Sequence, residues 1–285
     1  MEQIKLVEVG PRDGLQNEAD SWSVADRIAF INLLSQCQFS EIEVGSFVSP
    51  KWVPQMAQTD KVFQAIEKTS GIRYSCLVPN QMGLDAAQEV GVQNISLFTA
   101  ASETFNQKNI NCSIDESFER FKPLMRQAQD HHLRVRGYVS CVIECPYAGP
   151  IMPEQVTLVA AKLLAIGCDE ISLGDTIGKG TPDTIKALLT AVCAVVPLQK
   201  LAIHCHDTYG NAIDNISMAV ELGIRVIDSA MGGLGGCPYA GGQAKGNVAT
   251  ETVVKMLRQQ GFLPDFNMGA MQRASAFVAA RKTTT

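Results

Sequence analysis

Two histidines that stand two positions apart are the residues of this sequence with the clearest potential for chemistry. His204 and His206 end a short apolar run that begins at Leu201, and Asp207 follows them directly. Side chains two apart on a β-strand point to the same side, so the two imidazoles can bind one ion. Imidazole suits transition metals, and carboxylate or carbonyl partners move the preference toward Mg²⁺ or Mn²⁺. The alternative is a pair of rings satisfied by ordinary neighbours at the end of a strand.

The composition argues against several classes of function. The chain has 285 residues, 46% of them hydrophobic and 19% charged, as in an ordinary globular protein. Its net charge of −5 argues against a nucleic-acid partner, which usually leaves a basic footprint. No apolar run reaches the ~20 residues that a membrane span needs. A strand-like segment begins at Ile4, which leaves no room for a signal or transit peptide and predicts a cytoplasmic protein.

The cysteines predict reduced thiols. Their number, nine, is odd, and they are scattered through apolar surroundings, whereas disulfide frameworks belong to short secreted chains. Cys141 and Cys145 are four residues apart, but no second pair at zinc-ribbon spacing is present. Structural zinc is therefore not expected.

Short β-branched runs alternate with longer helical patterns along the chain. A capping box from Ser113 to Glu116 starts one predicted helix, and Pro153 and Pro182 stand at the first helical position of two others. Three glycines follow predicted helices, as left-handed C-caps do: Gly91, Gly167 and Gly223. Eight runs are interpreted as strands, several of them apolar enough to be buried on both faces: 4–9, 41–45, 73–78, 95–98, 134–140, 170–174, 201–205 and 225–229.

Eight strand–helix units without a linker predict an α/β protein with a single (β/α)8 TIM barrel over residues 4–260. Residues 264–282 predict an additional C-terminal helix, for packing or for oligomer contact, so that the whole chain forms one catalytic domain. The alternative is a doubly wound open sheet, which usually carries Gly-x-Gly-x-x-Gly after its first strand. The segment after the first strand here, residues 10–14, reads Gly-Pro-Arg-Asp-Gly and does not match that motif.

Polar residues gather where the predicted strands end, and a barrel of this type places its chemistry at those ends. Asp13 is the natural third metal ligand and Asn247 a candidate fourth; the alternative for Asp13 is an N-cap or a salt bridge to Arg12. Two imidazoles, a carboxylate and an amide oxygen leave positions open for substrate, so they suit octahedral Mg²⁺ or Mn²⁺ better than closed tetrahedral zinc. The polar residues of this rim are Arg12, Asp13, Glu43, Asp175, His204, His206, Cys237 and Asn247.

The glycine-rich stretch 232–246 follows the eighth predicted strand and has two interpretations. It is either a flexible linker or a mobile lid whose glycines act as hinges. Cys237 within it could donate or accept a proton, or it could be structural.

Four segments resemble the 3-hydroxy-3-methylglutaryl-CoA lyase family: residues 9–18, 46–56, 204–210 and 235–239. The likeness runs from residue 4 to about residue 260. The first and last segments are specific to this lyase. The His-x-His and Arg-Asp-Gly elements are shared with isopropylmalate and homocitrate synthases and related metal-dependent aldolases.

The resemblance implies retro-Claisen cleavage of 3-hydroxy-3-methylglutaryl-CoA to acetoacetate and acetyl-CoA, in leucine degradation and ketone-body formation. It implies a divalent cation, Mg²⁺ or Mn²⁺, on Asp13, His204, His206 and Asn247. It also implies that Arg12, Glu43, Asp175, His204 and Cys237 are catalytic positions.

Each of these positions has an expected role in the reaction. Arg12 would stabilise the enolate oxygen, and Glu43 would orient Arg12 or a substrate oxygen. Asp13 or an imidazole would act as general base, while Cys237 would protonate the enolate carbon. Asp175 would hold a ligand histidine in its tautomer.

The segment from Cys237 to Asn247 is one residue longer than the usual family pattern, which leaves a lyase for a longer-branched 3-hydroxyglutaryl-CoA open. A second alternative is a Claisen-condensing synthase of the isopropylmalate or citramalate type, although such synthases usually carry an extra C-terminal region. A third is a catalytically inactive metal-binding scaffold.

We expect a homo-oligomer, taken to be a dimer. Candidate contacts to the CoA part of the acyl-CoA substrate are Lys51, Lys108 and Lys245.

Overall fold

Eight parallel strands close into a barrel. The computed structural model describes residues 3–19, 21–236, 246–263 and 265–282. The strands are β1 (Lys5–Glu8), β2 (Glu41–Ser46), β3 (Arg73–Leu77), β4 (Asn94–Ala100), β5 (Arg134–Ser140), β6 (Glu144–Cys145), β7 (Gly149–Pro150), β8 (Glu170–Asp175), β9 (Leu201–Cys205) and β10 (Val226–Ser229). Around the barrel their order is β1-β10-β9-β8-β5-β4-β3-β2, while β6 and β7 form a separate hairpin. The predicted TIM barrel is confirmed, and the open sheet is excluded because β1 pairs with both β2 and β10.

Helices follow the barrel strands as the sequence pattern predicts. They are α1 (Val24–Leu34), α2 (Thr59–Ala65), α3 (Gln81–Glu89), α4 (Glu103–Ile110), α5 (Ile114–Asp130), α6 (Pro153–Ala165), α7 (Pro182–Val192), α8 (Ala212–Glu221), α9 (Thr250–Gln259) and α10 (Met268–Lys282). The capping box of α5 is confirmed, since the Ser113 and Glu116 side chains each accept the other's backbone N–H. Among the described helices, none is long and apolar enough to cross a membrane.

Ion pairs close the barrel at the end where its strands begin. The Glu41 carboxylate, at the start of β2, accepts from Arg73 at 3.0 Å and from Arg134 at 3.1 Å. Arg134 also pairs with Glu170, the first residue of β8, at 2.8 Å. Both carboxylates are buried. These partners occupy the N-terminal end of the barrel and leave the opposite end for chemistry.

The additional C-terminal helix is present, and it begins at Met268. Its Phe277 ring packs against Trp22 and Phe30, with ring centroids 5.8 Å and 6.3 Å apart. Arg281 pairs with Asp26 near the start of α1. The helix therefore covers α1 and seals that side of the barrel.

A buried carboxylate joins the end of β1 to the two segments that flank the glycine-rich stretch. Glu8 accepts the backbone N–H of Gly10 at 2.9 Å and of Met231 at 2.8 Å, and the Thr250 hydroxyl at 2.7 Å. Within the described part of the chain no cation pairs with Glu8, and burial raises its pKa to about 8, against the lowering effect of these three donors. The carboxyl group is therefore mostly protonated at neutral pH in the folded protein.

Glu8→Gln is expected to remove a pH-dependent part of the stability. The folded pKa of Glu8 lies above the unfolded value of 4.5, so its contribution is complete below pH 4.5 and is lost as pH rises through 8. The advantage of wild type over the glutamine variant should fall by up to about 1.4 kcal/mol per pH unit across that window. Urea unfolding of both proteins between pH 6 and 9 measures it. Parallel stability curves would contradict the raised pKa.

Candidate active site

Arg12 and Asp13 are presented by one π-helical turn, Gly10–Gly14, which follows β1. The amides of Arg12 and Gly14 both donate to the Val9 carbonyl, at 3.1 Å and 3.2 Å. Glycine is needed at position 14 because a Cβ there would lie 2.7 Å from the Cβ of Leu234. The turn holds two consecutive side chains at the mouth of the barrel.

Asp13, His204 and His206 come together at this mouth, as the sequence predicts. Each offers one ligand atom, and these atoms all lie within 4.8 Å of one another. The Nε2 atom of His204 is 4.0 Å from Oδ2 of Asp13. All three side chains line one open cavity of about 130 Å³ at the carboxyl ends of the strands.

The protonation states of Asp13 and His206 fit a divalent cation. Burial alone would raise the pKa of Asp13, but Arg12 and both histidines hold it well below its usual range. Burial, together with the charge of His204, lowers the pKa of His206 to about 4, so its ring is neutral near pH 7. Nδ1 of His206 is buried and has no hydrogen-bond partner among the described residues. An ionised carboxylate and a neutral imidazole are the forms that bind metal ions.

His204 is oriented by a carboxylate that the sequence analysis missed. Its Nδ1 lies 3.2 Å from Oδ2 of Asp228, a buried residue of β10. The other oxygen of Asp228 accepts from Arg136 at 2.6 Å. Burial would raise the pKa of Asp228, but Arg136 and His204 lower it, so this carboxylate is ionised. Metal-binding histidines usually donate their second ring nitrogen to such a group.

Asp175 lies at the predicted strand end, but its side chain bonds backbone amides and no histidine ring among the described residues. It ends β8, and its two oxygens accept the backbone N–H of Lys179 at 3.2 Å and of Gly180 at 2.8 Å. Its side chain therefore shapes the loop after β8, and the histidine-orienting role falls to Asp228. Burial raises the pKa of Asp175 to about 6. Its backbone carbonyl accepts the amide of His206 at 3.3 Å, which keeps it beside the site.

Glu43 lies against Arg12. Nε of Arg12 donates to Oε2 of Glu43 at 2.6 Å, and Nη1 donates to Asp13 at 2.6 Å. Glu43 also accepts hydrogen bonds from Ser96 at 2.5 Å and from Tyr138 at 3.2 Å. Burial would lower the pKa of Arg12, but the two carboxylates raise it, so the guanidinium stays charged. Its hydrogen bonds among the described residues are those of Nε and Nη1.

Asn247 reaches the site with its amide nitrogen toward Asp13. Nδ2 donates to Oδ2 of Asp13 at 2.8 Å and to the Leu234 carbonyl at 3.2 Å. The segment is held beside β9 because the amide of Asp207 donates to Gly246 at 2.7 Å. Ligation through the amide oxygen requires that the side chain rotate and give up both bonds. The ligand role of Asn247 stays a prediction.

The remaining predicted residues lie elsewhere. Cys237 and Lys245 are outside the described residues. Lys108 places its ammonium group 4.5 Å from the centre of the Tyr147 ring, and Lys51 is exposed. Neither lysine lines the cavity, whose wall includes Leu77, Phe98, Phe105, Asn109 and Tyr138.

Comparisons with known proteins point to one family over nearly the whole chain. A family model described as HMGL-like matches residues 3–278. The chain is 48% identical to the hydroxymethylglutaryl-CoA lyase of Pseudomonas mevalonii, covering 100% of this chain and 94% of that protein. It is 51% identical to the mitochondrial hydroxymethylglutaryl-CoA lyase of Macaca fascicularis, over 99% and 88% of the two chains. The solved HMG-CoA lyase of Brucella melitensis superposes with a TM-score of 0.97 at 50% identity, covering 99% of this chain and 100% of that one.

Proposed function

The chain belongs to the HMGL-like family, and we propose that it is a hydroxymethylglutaryl-CoA lyase that cleaves 3-hydroxy-3-methylglutaryl-CoA to acetoacetate and acetyl-CoA. Such a reaction would serve leucine degradation and ketone-body formation. The observation that carries the proposal is the cluster of Asp13, His204 and His206 beside Arg12, at the strand ends of a barrel that matches these lyases over nearly its full length.

The reaction is a retro-Claisen cleavage, and its atoms balance without an oxidant or reductant. The C3 hydroxyl loses its proton, the C2–C3 bond breaks, and its electron pair passes to C2 as a thioester enolate. C3 becomes the ketone of acetoacetate, and a proton returned to C2 gives acetyl-CoA. Asp13, His204 and His206 would hold a divalent cation, which would supply Lewis-acid stabilisation for this cleavage.

Arg12 is assigned to the enolate oxygen. Glu43 and Asp13 fix two edges of its guanidinium, which leaves Nη2 for a substrate oxygen. The enolate oxygen gains charge only as the bond breaks, so a positioned cation there favours the transition state over the bound substrate. For the hydroxyl proton, the low pKa of Asp13 makes it a weak base, which favours an imidazole as acceptor.

Cys237→Ser is expected to lower kcat by roughly 10²–10⁴-fold, the usual contribution of a positioned proton donor or acceptor. We assign the return of a proton to C2 to this thiol. Cys193→Ser is the matched control because that thiol is exposed at the end of α7. The measurement is steady-state turnover of both variants. A Cys237→Ser enzyme with wild-type kcat would leave the thiol without a catalytic role.

The function itself is tested by assaying acetoacetate release from 3-hydroxy-3-methylglutaryl-CoA by the purified protein. Activity should vanish with EDTA and return when Mg²⁺ or Mn²⁺ is added, and titration with each ion identifies the better activator. A longer-branched 3-hydroxyglutaryl-CoA should be cleaved more slowly. Faster turnover of that substrate, or condensation of acetyl-CoA with a 2-oxo acid instead of cleavage, would overturn the assignment.

We also propose a cytoplasmic location and a homodimer. Eight cysteines lie in the described part of the chain and all are free thiols, which fits a reducing compartment. Light scattering of the purified protein tests the dimer, and fractionation of cells tests the location.

A further inference from the structure

Arg136 is a buried cation in the barrel interior that belongs to neither the predicted metal ligands nor the predicted catalytic groups. It lies on β5 and is 1% exposed. Its Nη2 donates to Asp228 at 2.6 Å, and its Nη1 donates to the Tyr138 hydroxyl at 3.1 Å. Nε lies 2.9 Å from Oε1 of Glu170, as an ion pair without hydrogen-bond geometry. Asp228 and Tyr138 are thus the neighbours that fix the plane of this guanidinium by hydrogen bonds, and Glu170 adds a nearby negative charge.

The first two of these neighbours lead to opposite halves of the active site. Asp228 uses its second oxygen to hold Nδ1 of His204, at 3.2 Å. Tyr138 donates its hydroxyl to Glu43 at 3.2 Å, and Glu43 in turn holds Nε of Arg12 at 2.6 Å.

We infer that Arg136 is a positioning residue that couples the metal-binding half of the site, through Asp228 and His204, to the enolate-binding half, through Tyr138 and Glu43. The metal-binding half of this inference does not depend on the identity of the substrate. The enolate-binding half rests on the proposed function.

The physical reason lies in the burial of the network. Asp228 is 1% exposed, and its second oxygen also accepts from Ser172 at 2.9 Å. Removing the guanidinium leaves this carboxylate without its cation, because the remaining described partners are a hydroxyl and a ring nitrogen. A buried carboxylate without a charged partner is costly, and Asp228 loses the 2.6 Å contact that fixes its first oxygen, so its hold on His204 loosens.

Three variants distinguish the effect of Arg136 on the metal-binding half from its effect on the enolate-binding half. Asp228→Asn should weaken Mn²⁺ binding to the substrate-free protein by about 10–100-fold, the range for partners that orient a metal ligand. Tyr138→Phe should lower kcat and leave Mn²⁺ affinity unchanged. Arg136→Gln should do both. Isothermal titration with Mn²⁺ gives the affinity, and steady-state assays with saturating Mn²⁺ give kcat and KM.

Arg134→Gln is the matched control. Arg134 lies two residues earlier on β5 and carries the same charge, but its partners are Glu41 and Glu170 at the closed end of the barrel. A generally weakened barrel would lower Mn²⁺ affinity equally in both arginine variants, whereas the inference requires the loss in Arg136→Gln alone. Circular dichroism of every variant checks folding. If Arg136→Gln fails to fold, Arg136→Lys takes its place. Lysine keeps the positive charge but lacks the planar set of N–H donors that reaches Asp228 and Tyr138 together.

The double variant Arg136→Gln with Asp228→Asn tests the order of the contacts. If Arg136 acts on the metal site through Asp228, the double variant should bind Mn²⁺ no more weakly than the weaker of the two single variants. Additive losses, or wild-type Mn²⁺ affinity in Arg136→Gln, overturn the inference. Wild-type protein that cleaves no 3-hydroxy-3-methylglutaryl-CoA would overturn the proposed function, and the Mn²⁺ titrations would still decide the metal-binding branch.

Discussion

Replacing Arg12 by glutamine is expected to lower kcat by about 10²–10³-fold, the usual cost of removing one preorganised donor to a developing oxyanion. Mn²⁺ affinity should not fall. In the folded protein Nη1 of Arg12 lies 2.6 Å from Asp13, so the guanidinium competes with a bound cation for that carboxylate. Its removal leaves Asp13 more strongly negative, and the variant should bind Mn²⁺ as tightly as wild type or more tightly.

The two measurements together distinguish this role from a structural one. Steady-state kinetics gives kcat and KM, and titration of the substrate-free variant gives the Mn²⁺ affinity. Arg73→Gln is the matched control, because that arginine pairs with Glu41 at the closed end of the barrel. Arg12→Lys should not rescue kcat, since an ammonium group cannot bond Glu43 and Asp13 while also facing the substrate. Near wild-type turnover by Arg12→Gln would remove Arg12 from the chemistry.

The residues at the strand ends could be predicted because strand periodicity and barrel architecture constrain them directly. A period of two puts His204 and His206 on one side of β9, and a parallel barrel brings the end of β1 to the same rim. The three ligand atoms lie within 4.8 Å of one another, as that argument requires. Neither step needs a distance that depends on packing.

The interior partners could not be predicted because they depend on which strands face each other across the barrel. Arg136 on β5 meets Asp228 on β10, and no sequence spacing encodes that contact between residues 92 positions apart. A signal was nevertheless present: an aspartate within a predicted buried strand needs a charged or hydrogen-bonding partner. Applied to Asp228, this rule would have identified a second candidate, besides Asp175, for the carboxylate that orients a ligand histidine.

The same limit applies to backbone detail at the mouth of the barrel. Residues 10–14 lack helical periodicity, yet they form a π-helical turn, because Gly14 permits close approach to Leu234. The amide orientation of Asn247 follows from the Leu234 carbonyl, which accepts its nitrogen. For the turn, Leu234 is more than 200 residues away, and for Asn247 it is 13 residues away across the glycine-rich stretch. Sequence patterns predict which residues reach the rim, whereas the packing of distant segments decides how they are presented.

His206→Ala is expected to weaken Mn²⁺ binding by more than the ~10–100-fold that loss of an outer-shell partner causes, because it removes a ligand itself. Two interpretations of the histidine pair were open: a metal site, or two rings satisfied by neighbours. The ring of His206 is 7% exposed, and its Nδ1 has no partner among the described residues. Burying a polar atom unpaired costs about 1–3 kcal/mol. Selection for stability alone would not maintain such an arrangement, whereas a ring that must stay available to an ion accounts for it.

Isothermal titration of the metal-free protein with Mn²⁺ measures the loss, and His131→Ala, which alters an exposed histidine after α5, is the matched control. Activity of His206→Ala should be low at limiting Mn²⁺ and recover in part at high Mn²⁺, because Asp13 and His204 still lie within 4.0 Å of each other. In EDTA, removal of the unpaired ring nitrogen should raise the free energy of unfolding. The cavity that the missing ring creates should lower it. Unchanged Mn²⁺ affinity would exclude His206 as a ligand and would leave its buried nitrogen without a function.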